Sequence, residues 1–279
     1  MRITTDQWII SGGAKMGFDH LANRTNCHDA FSVKVINPYI VGVICDGCGS
    51  GAHSEVGANL MAQYTTNLLA DAIYNRWMPD IPRIAPMLFR HLIKFVQRNI
   101  SEGITSSDPL SEAAFINDYW LCTILGFIIA PEKTLIFYAG DGSYRVNDIE
   151  QVIVSPNNAP QYLAYNCVSN DELLTDLSVI PKQFETETFM TNGINRLMIA
   201  SDGFLTDRKW VREFDSRRGT WGVKNDAEGN PLSLPPIRGQ QWGLRGETGI
   251  NRFLNQKADM GYFTDDVALI TVERQEECA

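Results

Sequence analysis

Short apolar runs bounded by turn residues predict most of the secondary structure of this chain. Residues 31 to 36 and 39 to 45 are rich in Val and Ile and are joined by Asn37-Pro38. Two such runs around a two-residue turn are typical of a hairpin rather than of a βαβ unit, so we expect antiparallel sheet. Further strands are predicted over residues 120 to 130, 133 to 139, 144 to 146, 151 to 154, 197 to 200 and 267 to 272.

Apolar residues at a spacing of four predict two consecutive amphipathic helices. The first begins at Ser54, a candidate N-cap, and the second follows the prolines at 79 and 82. The predicted core faces are Val56, Leu60, Tyr64, Leu68 and Ala72 in the first helix, and Ile84, Leu88, Leu92 and Phe95 in the second. Shorter helices are predicted over residues 171 to 177, 206 to 214 and 242 to 254. This order of elements favours two packed antiparallel sheets with helices outside.

The composition shows no break that would divide the chain into separate domains. Its 279 residues are 44% hydrophobic, enough for one sizeable core, so we expect a single domain over residues 1 to 279. Residues 155 to 187 are rich in Asn and Pro and predict a flap-like excursion rather than core. Interruptions by Gly, Pro and Arg predict a long mobile loop over residues 215 to 239.

The charge of the chain narrows the class of partner. The formal net charge is −9, whereas binding to nucleic acid or to acidic membranes depends on a basic surface. We therefore expect a protein or small-molecule partner, with no nucleic acid and no membrane. The stretch Trp8-Ile9-Ile10 is too short for a signal segment. Because the six cysteines lack a small-scaffold disulfide spacing, we expect a cytoplasmic protein.

Aspartates recur at the edges of the predicted strands. They occur in the pairs Asp46-Gly47, Asp141-Gly142, Asp202-Gly203 and Asp265-Asp266. Acids at strand ends would meet at one end of the sandwich, where several carboxylates are costly without a cation. Clusters that offer only oxygen ligands select hard divalent ions such as Mg²⁺ or Mn²⁺. The pattern therefore predicts a metal site built from carboxylates.

Five short segments in a fixed order connect this chain to a known family. They are Thr25 to Ala30, Cys45 to Gly51, Ala139 to Gly142, Ala200 to Phe204 and Thr264 to Ile270. Together they resemble the signature segments of the metal-dependent protein phosphatases of the PP2C (PPM) type. Trp8, Gly12-Gly13 and His20 before the first segment are similar to a bacterial branch, in which a Trp-bearing strand, a Gly-rich turn and a His precede it. The resemblance implies an α+β fold, a four-layer α-β-β-α sandwich of two antiparallel sheets flanked by helices.

The resemblance also implies metal-binding roles for individual residues. The implied ligands are Asp29, Asp46, Gly47, Asp141, Asp202 and Asp265. Asp46 would bridge two Mn²⁺ or Mg²⁺ ions, and the carbonyl of Gly47 would bind one of them. Asp202 and Asp265 would complete the shell of the first ion, and Asp29 would hold the second through water. Asp141, together with Asp202, matches a third and weaker metal position.

The implied activity is hydrolysis of phosphoserine and phosphothreonine in a phosphoprotein, in opposition to a kinase. The implied catalytic residues are Asp46, Asp202, Asp265 and Arg24, where Arg24 matches an arginine that grips phosphate in a bidentate way. Two positions depart from the family pattern: His28 replaces Gln or Glu, and Cys48 replaces a histidine proposed as general acid. Protonation of the leaving group is therefore unassigned, and His20 and His53 are close to the motifs in sequence only.

Two other functions are open from the sequence. The departures at His28 and Cys48 are compatible with a catalytically inactive, phosphatase-like binding or regulatory module. Residues 47 to 52 also satisfy G-x-G-x-x-[GA], the outline of a dinucleotide-binding turn, although a hairpin strand before it disfavours a Rossmann unit. Cys45 and Cys48 have C-x-x-C spacing, but a zinc site would need a second pair, so free cysteines are expected.

Overall fold

The computed structural model describes residues 1–75, 80–104, 108–155, 159–169, 177–205, 212–215, 220–230 and 249–275. In chain order the strands are β1 (Arg2–Thr4), β2 (Trp8–Lys15), β3 (Ala30–Ile36), β4 (Tyr39–Cys45), β5 (Ile124–Ile129), β6 (Lys133–Ala139), β7 (Gly142–Val146), β8 (Ile149–Ile153), β9 (Glu185–Met190), β10 (Arg196–Ala200), β11 (Arg212–Asp215), β12 (Thr220–Val223) and β13 (Val267–Arg274). The helices are α1 (Phe18–Asn23), α2 (Ser54–Tyr74), α3 (Ile81–Gly103), α4 (Pro109–Tyr119) and α5 (Gly249–Asp259).

Two antiparallel sheets form the centre of the molecule. The first has the order β1-β2-β13-β10-β7-β8 and the second the order β3-β4-β5-β6-β9. The predicted hairpin is confirmed: β3 pairs with β4 from Ala30↔Cys45 to Ile36↔Tyr39. Strands β11 and β12 form a separate two-stranded ribbon.

Helices cover the outer faces of both sheets. Helices α2 and α3 pack on the second sheet, α4 packs against α2 and α3, and α5 packs on β2 of the first sheet. The space between the sheets is filled by apolar side chains such as Ile10, Ile44, Phe127 and Ile270. A further core lies between the second sheet and its helices, and a third lies between the first sheet and α5. The predicted four-layer α-β-β-α sandwich of the α+β class is therefore confirmed.

Helix α2 begins at Ser54, although its N-cap is His53 and not Ser54, and it buries only part of the predicted face. The predicted residue Ala72 is fully buried, and Tyr64 and Leu68 pack against the core.

Val56 and Leu60 are about 40% exposed, at 41% and 40%, although the apolar spacing predicted them to be core. The buried residues of α2 are mostly small, and they include Gly57, Ala58 and Ala62. Small side chains allow the helix to approach its neighbours closely, so the largest apolar residues do not mark the buried face. In α3, by contrast, the predicted residues Ile84, Leu88 and Leu92 are fully buried.

Three predicted helices have different outcomes. Residues 212 to 214, which were predicted to be helical, belong to β11, which pairs with β12; tertiary pairing overrides the local helical pattern. Residues 206 to 211 and 171 to 176 lie outside the described part of the chain. The predicted helix over 242 to 254 is described from Gly249, and it continues to Asp259.

Several predicted irregular segments are ordered. Gly12 and Gly13 lie inside β2 and not in a turn. Both positions require glycine because an added Cβ would meet Phe31 at Gly12 and α5 at Gly13. In the predicted excursion, Leu163–Cys167 forms a 3₁₀ helix whose side chains join the core beside α3. In the predicted mobile loop over 215 to 239, Thr220–Val223 is strand β12.

The apolar run from residue 120 to 130 is divided between two elements. Helix α4, which the sequence did not predict, ends at Tyr119, and β5 begins only at Ile124. Strand β9 was also not predicted. No helix in the described ranges combines the length and apolar character needed to cross a membrane.

Candidate metal centre

The strand register brings the predicted acids to one end of the sandwich. Asp29 directly precedes β3 and Asp46 directly follows β4, and the pair Ala30↔Cys45 places them side by side. Asp202 follows β10, which lies between β7 and β13 in the other sheet. Asp141 precedes β7 and Asp265 precedes β13, so both enter the same end from neighbouring strands. The topology therefore brings the five predicted acids to the same end of the sandwich.

The acids are close enough to raise one another's pKa. Burial raises the pKa of Asp46 well above its usual range, and the charges of Asp29 and Asp202 raise it further. The carboxyl groups of Asp46 and Asp202 are within hydrogen-bonding reach of each other. Burial likewise raises the pKa of Asp29, with further contributions from Asp266, Asp265 and Asp202. Anionic carboxylates at this spacing repel one another unless a proton or a cation lies between them.

Asp141 and Asp265 lie at the margin of this cluster. The pKa of Asp141 is raised by burial and by Asp202, although a hydrogen bond from Ser155 opposes the shift. Asp265 is exposed as a residue, but partial burial of its carboxyl group raises its pKa. The backbone N–H of Asp266 opposes this shift, and the charges of Asp202 and Asp266 add to it. Asp202 is thus a neighbour of every other acid in the predicted set, which places it at the centre of the cluster.

Ser201 connects the two sheets behind the acids. Its hydroxyl donates a hydrogen bond of 2.6 Å to Oδ2 of Asp29 and accepts one of 2.9 Å from the backbone N–H of Ala268. Asp29 is therefore held from the opposite sheet. Asp46 is held through its backbone, because its N–H donates to Oγ1 of Thr123 and its carbonyl accepts from the N–H of Thr123.

Asp266 has a structural role that the sequence did not reveal. It is 2% exposed, and its carboxylate accepts hydrogen bonds from the N–H of Gly17 at 2.7 Å, from the N–H of His28 at 2.5 Å and from Nδ1 of His20 at 2.6 Å. All three donors belong to the N-terminal segment. Asp266 therefore fastens that segment to the last strand, and its oxygens are already engaged by protein donors.

The histidines do not form a ready general acid. His28 is buried, and its pKa is lowered first by burial and then by His20, whose ring lies 4.3 Å away between centroids. Its Nδ1 has no hydrogen-bond partner among the described residues. His53 precedes α2 and lies against the ring of Tyr119, with 5.1 Å between centroids. The ring of His20 is oriented by its contact with Asp266.

Arg24 and Cys48, which the sequence also singled out, have different surroundings. Arg24 follows α1 with a left-handed backbone, at φ 58°, and its exposed side chain forms no ion pair within the described ranges. Cys48 is a free cysteine, as expected, and its sulfur lies 3.1 Å from Oγ of Ser50. Burial raises the pKa of Tyr162, which the sequence did not single out, and Cys48, Asp46 and Asp141 raise it further. A residue of the predicted excursion therefore lies beside the acids.

The donor chemistry of the cluster fits a hard divalent cation. All side-chain donors of the predicted set are carboxylates, and Gly47 adds a carbonyl beside Asp46. Within the part of the chain that the structure describes, no group of three or more His, Cys, Asp or Glu side chains is arranged so that it could hold a metal ion. The acids are nevertheless close enough to raise one another's pKa, and their mutual repulsion is the property that a cation would relieve.

The antiparallel sheet argues against a dinucleotide-binding turn at residues 47 to 52. Strand β4 pairs antiparallel with both β3 and β5, and α2 is followed by α3. A Rossmann unit would require a parallel strand after α2.

An α-β-β-α sandwich with acids at one end of its strands defines the architecture of this protein. A family model described as protein phosphatase 2C matches residues 16–226, and the chain belongs to that family. No curated protein matches the sequence.

Solved structures of bacterial phosphatases share the fold. A bacterial serine phosphatase matches with a TM-score of 0.54 and 15% identity, over 97% of this chain and 99% of that chain. The serine/threonine phosphatase Stp1 from Staphylococcus aureus matches with a TM-score of 0.50 and 14% identity, over 96% and 95%. RsbX in complex with magnesium matches with a TM-score of 0.50 and 13% identity, over 99% of both chains.

Proposed function

We propose that this protein is a metal-dependent serine/threonine phosphatase that hydrolyses phosphoserine and phosphothreonine with a water activated by two Mn²⁺ or Mg²⁺ ions. The observation that supports this most strongly is the crowding of Asp29, Asp46 and Asp202, because burial and then the charges of neighbouring acids raise the pKa of the first two. Such a cluster is unfavourable until a cation occupies it. The magnesium bound to the structural relative RsbX is consistent with this choice of ion.

The proposed ligands are Asp29, Asp46, Gly47, Asp141, Asp202 and Asp265. Asp46, Asp202 and Asp265 would position the ions for catalysis, and Asp141 with Asp202 would form the weaker third position. When bound, the ions lower the pKa of a shared water and offset negative charge on the phosphoryl oxygens. Ser201 and Thr123 would keep Asp29 and Asp46 in place during the reaction. Arg24, which has no other described ion-pair partner, would bind the phosphate through its guanidinium group.

An inactive binding or regulatory module is the second candidate. It is favoured by His28 and Cys48, which depart from the family pattern, and by the absence within the described ranges of three or more such side chains arranged to hold a metal ion. The five acids at the strand ends favour catalysis, because a module without turnover has no need for them.

The proposal also covers the domain organisation, the partners and the location of the protein. We treat residues 1 to 279 as a single phosphatase domain that acts on a phosphoprotein, with a kinase-linked partner. A cytoplasmic location is consistent with the free thiols of Cys27, Cys45, Cys48, Cys122 and Cys167, because free thiols persist in reducing compartments.

The test is hydrolysis of p-nitrophenyl phosphate and of a phosphothreonine peptide with Mn²⁺, with Mg²⁺ and with EDTA. We expect turnover that depends on the metal and a loss of at least about 100-fold in kcat for Asp202→Asn, because the variant removes charge at the centre of the cluster. Asp148→Asn is the matched control, since its side chain is fully exposed, and it should retain wild-type activity. Metal binding without turnover in the wild type would favour the inactive module.

A further inference from the structure

A groove runs along the outer edge of β3. It has a volume of about 870 Å³ and lies between this strand and the second half of α2. Four consecutive strand residues, Val33 to Ile36, line it. Because alternate side chains of a strand point to opposite faces, a groove lined by consecutive residues follows the edge of the strand and not one of its faces.

The edge of β3 is unpaired within the described ranges. Strand β3 is the terminal strand of its sheet, so its outward backbone N–H and C=O groups have no neighbouring strand. An edge of this kind forms hydrogen bonds with an added extended segment. The backbone chemistry of the groove therefore selects an occupant in extended conformation.

The walls of the groove give it a pattern of subsites. Val33 and Val35 belong to the side between the two sheets, where Ile3 also lines the groove. On the helix side, Leu68 is apolar, and Tyr64 is held rigidly by stacking on Phe95 at 3.8 Å between ring centroids. A strand placed here would put alternate side chains on these two apolar walls.

Charge distinguishes a foreign segment from a second copy of this chain. Lys34 lies on the exposed edge and lines the groove, whose far end on α2 carries the acidic residue Asp71. Antiparallel pairing of two β3 edges about their midpoint, Val33, would put each Lys34 opposite Ser32 and diagonal to the second Lys34 on the same face, where two like charges on long side chains repel each other. A segment with an acidic residue at that place would instead form a cross-strand pair of opposite charges.

Strand β3 itself links the groove to the candidate metal centre. Asp29 stands immediately before this strand, and Val33 follows it by four residues, or about 13 Å of extended chain. A segment bound along β3 would therefore continue toward the acids. The distance suits a phosphorylated side chain only a few residues away from the bound segment.

We propose that the β3 edge groove binds an extended segment of the phosphoprotein substrate, with an acidic residue opposite Lys34. This inference rests on the proposed phosphatase function. The groove would increase the affinity for long substrates and leave the chemistry at the acids unchanged. It would thereby distinguish protein substrates from small phosphate esters.

The test compares three probes with Mn²⁺: p-nitrophenyl phosphate, a phosphothreonine hexapeptide, and 16-residue peptides that join the same phosphothreonine to a Thr/Val segment in which one Glu is moved stepwise. We expect the best long peptide to exceed the hexapeptide in kcat/KM by about fivefold or more, through a lower KM. Lys34→Glu should remove this gain and shift the preferred residue from Glu to Lys. Tyr74→Ala, which truncates a groove residue that is 79% exposed, should reduce the gain for all long peptides.

Matched controls separate the groove from general effects. Lys133→Glu changes an exposed strand lysine on β6, and Leu110→Ala changes a residue that is 65% exposed outside the groove. Both should behave as wild type, and all four variants should hydrolyse p-nitrophenyl phosphate at the wild-type rate. Equal kcat/KM for long peptides in wild type and Lys34→Glu would overturn the inference.

A binding measurement keeps the groove testable if the phosphatase proposal fails. A fluorescein-labelled Glu peptide without phosphate should bind the wild type in fluorescence anisotropy, and Lys34→Glu should weaken that binding by about fivefold. If the Glu peptide binds in this way but no turnover is detected, only the phosphatase proposal would be refuted. Equal binding by Lys34→Glu and Lys133→Glu, or a wild-type dimer in ultracentrifugation that Lys34→Glu dissociates, would refute the substrate groove.

Discussion

Asp266 organises the N-terminal part of the site without being one of the proposed metal ligands. Its Oδ1 accepts from the N–H of Gly17, and its Oδ2 accepts from the N–H of His28 and from His20. Because Asp29 follows His28 directly, these bonds also fix the point at which that acid enters the cluster. Two adjacent aspartates at the start of β13 thus have different tasks, since Asp265 faces the cluster and Asp266 faces the N-terminal segment.

Asp266→Asn should destabilise the fold. An amide has only one acceptor oxygen, so in either orientation one buried backbone N–H, of Gly17 or of His28, would face an NH₂ group. Leaving a buried donor unpaired costs about 1–3 kcal/mol, and urea unfolding should show a loss of that size. Asp148→Asn, at a side chain that is fully exposed, should stay within about 0.5 kcal/mol of wild type. An unchanged free energy of unfolding for Asp266→Asn would contradict this role.

The helical layer on the second sheet depends on close approach between elements. A Cβ added to Gly57 of α2 would lie 1.9 Å from the carbonyl oxygen of Tyr119, at the end of α4. The backbone of α2 therefore passes directly against the end of α4. This contact explains why α2 buries small residues and leaves Val56 exposed.

Gly57→Ala tests this packing, because helix propensity and overpacking predict changes in stability of opposite sign. Helix propensity alone would make alanine more favourable by about 1 kcal/mol, whereas overpacking costs about 1–3 kcal/mol. We expect the clash with a backbone atom to prevail, and thermal or urea unfolding should show net destabilisation. Gly193→Ala is the matched control, since no atom lies within 4 Å of an added Cβ there. A Gly57→Ala protein at least as stable as wild type would show that the two elements are not in contact.

The elements that the sequence predicted well are those whose pattern is local. The β3–β4 hairpin, β6 and β13 follow from apolar runs and turn residues, and α3 follows from a strong helical period. The failures depend on distant partners. Strand β11 is a strand because β12 pairs with it, and the buried face of α2 is set by α4, so neither could be inferred from residues 206 to 214 or from the spacing of Val56 and Leu60.

Over the whole chain, the candidate site is assembled from segments that are far apart in sequence. Asp29 and Ser201, which share a hydrogen bond, are 172 residues apart, and His28 and Asp266 are 238 apart. The acids themselves could be predicted, because each stands at the end of an apolar run and strand ends meet in a sandwich. Ser201, Asp266 and Tyr162 could not be predicted in their roles, since their contacts exist only after both sheets have packed.

The converging carboxylates are proposed to form a cation site. Isothermal titration calorimetry with Mn²⁺ tests it independently of any substrate, using wild type, Asp46→Asn and the exposed control Asp148→Asn. We predict binding of about two ions to the wild type and to the control, and affinity at least about 10-fold weaker for Asp46→Asn. Undetectable binding to the wild type, or equal affinity in wild type and Asp46→Asn, would contradict the account.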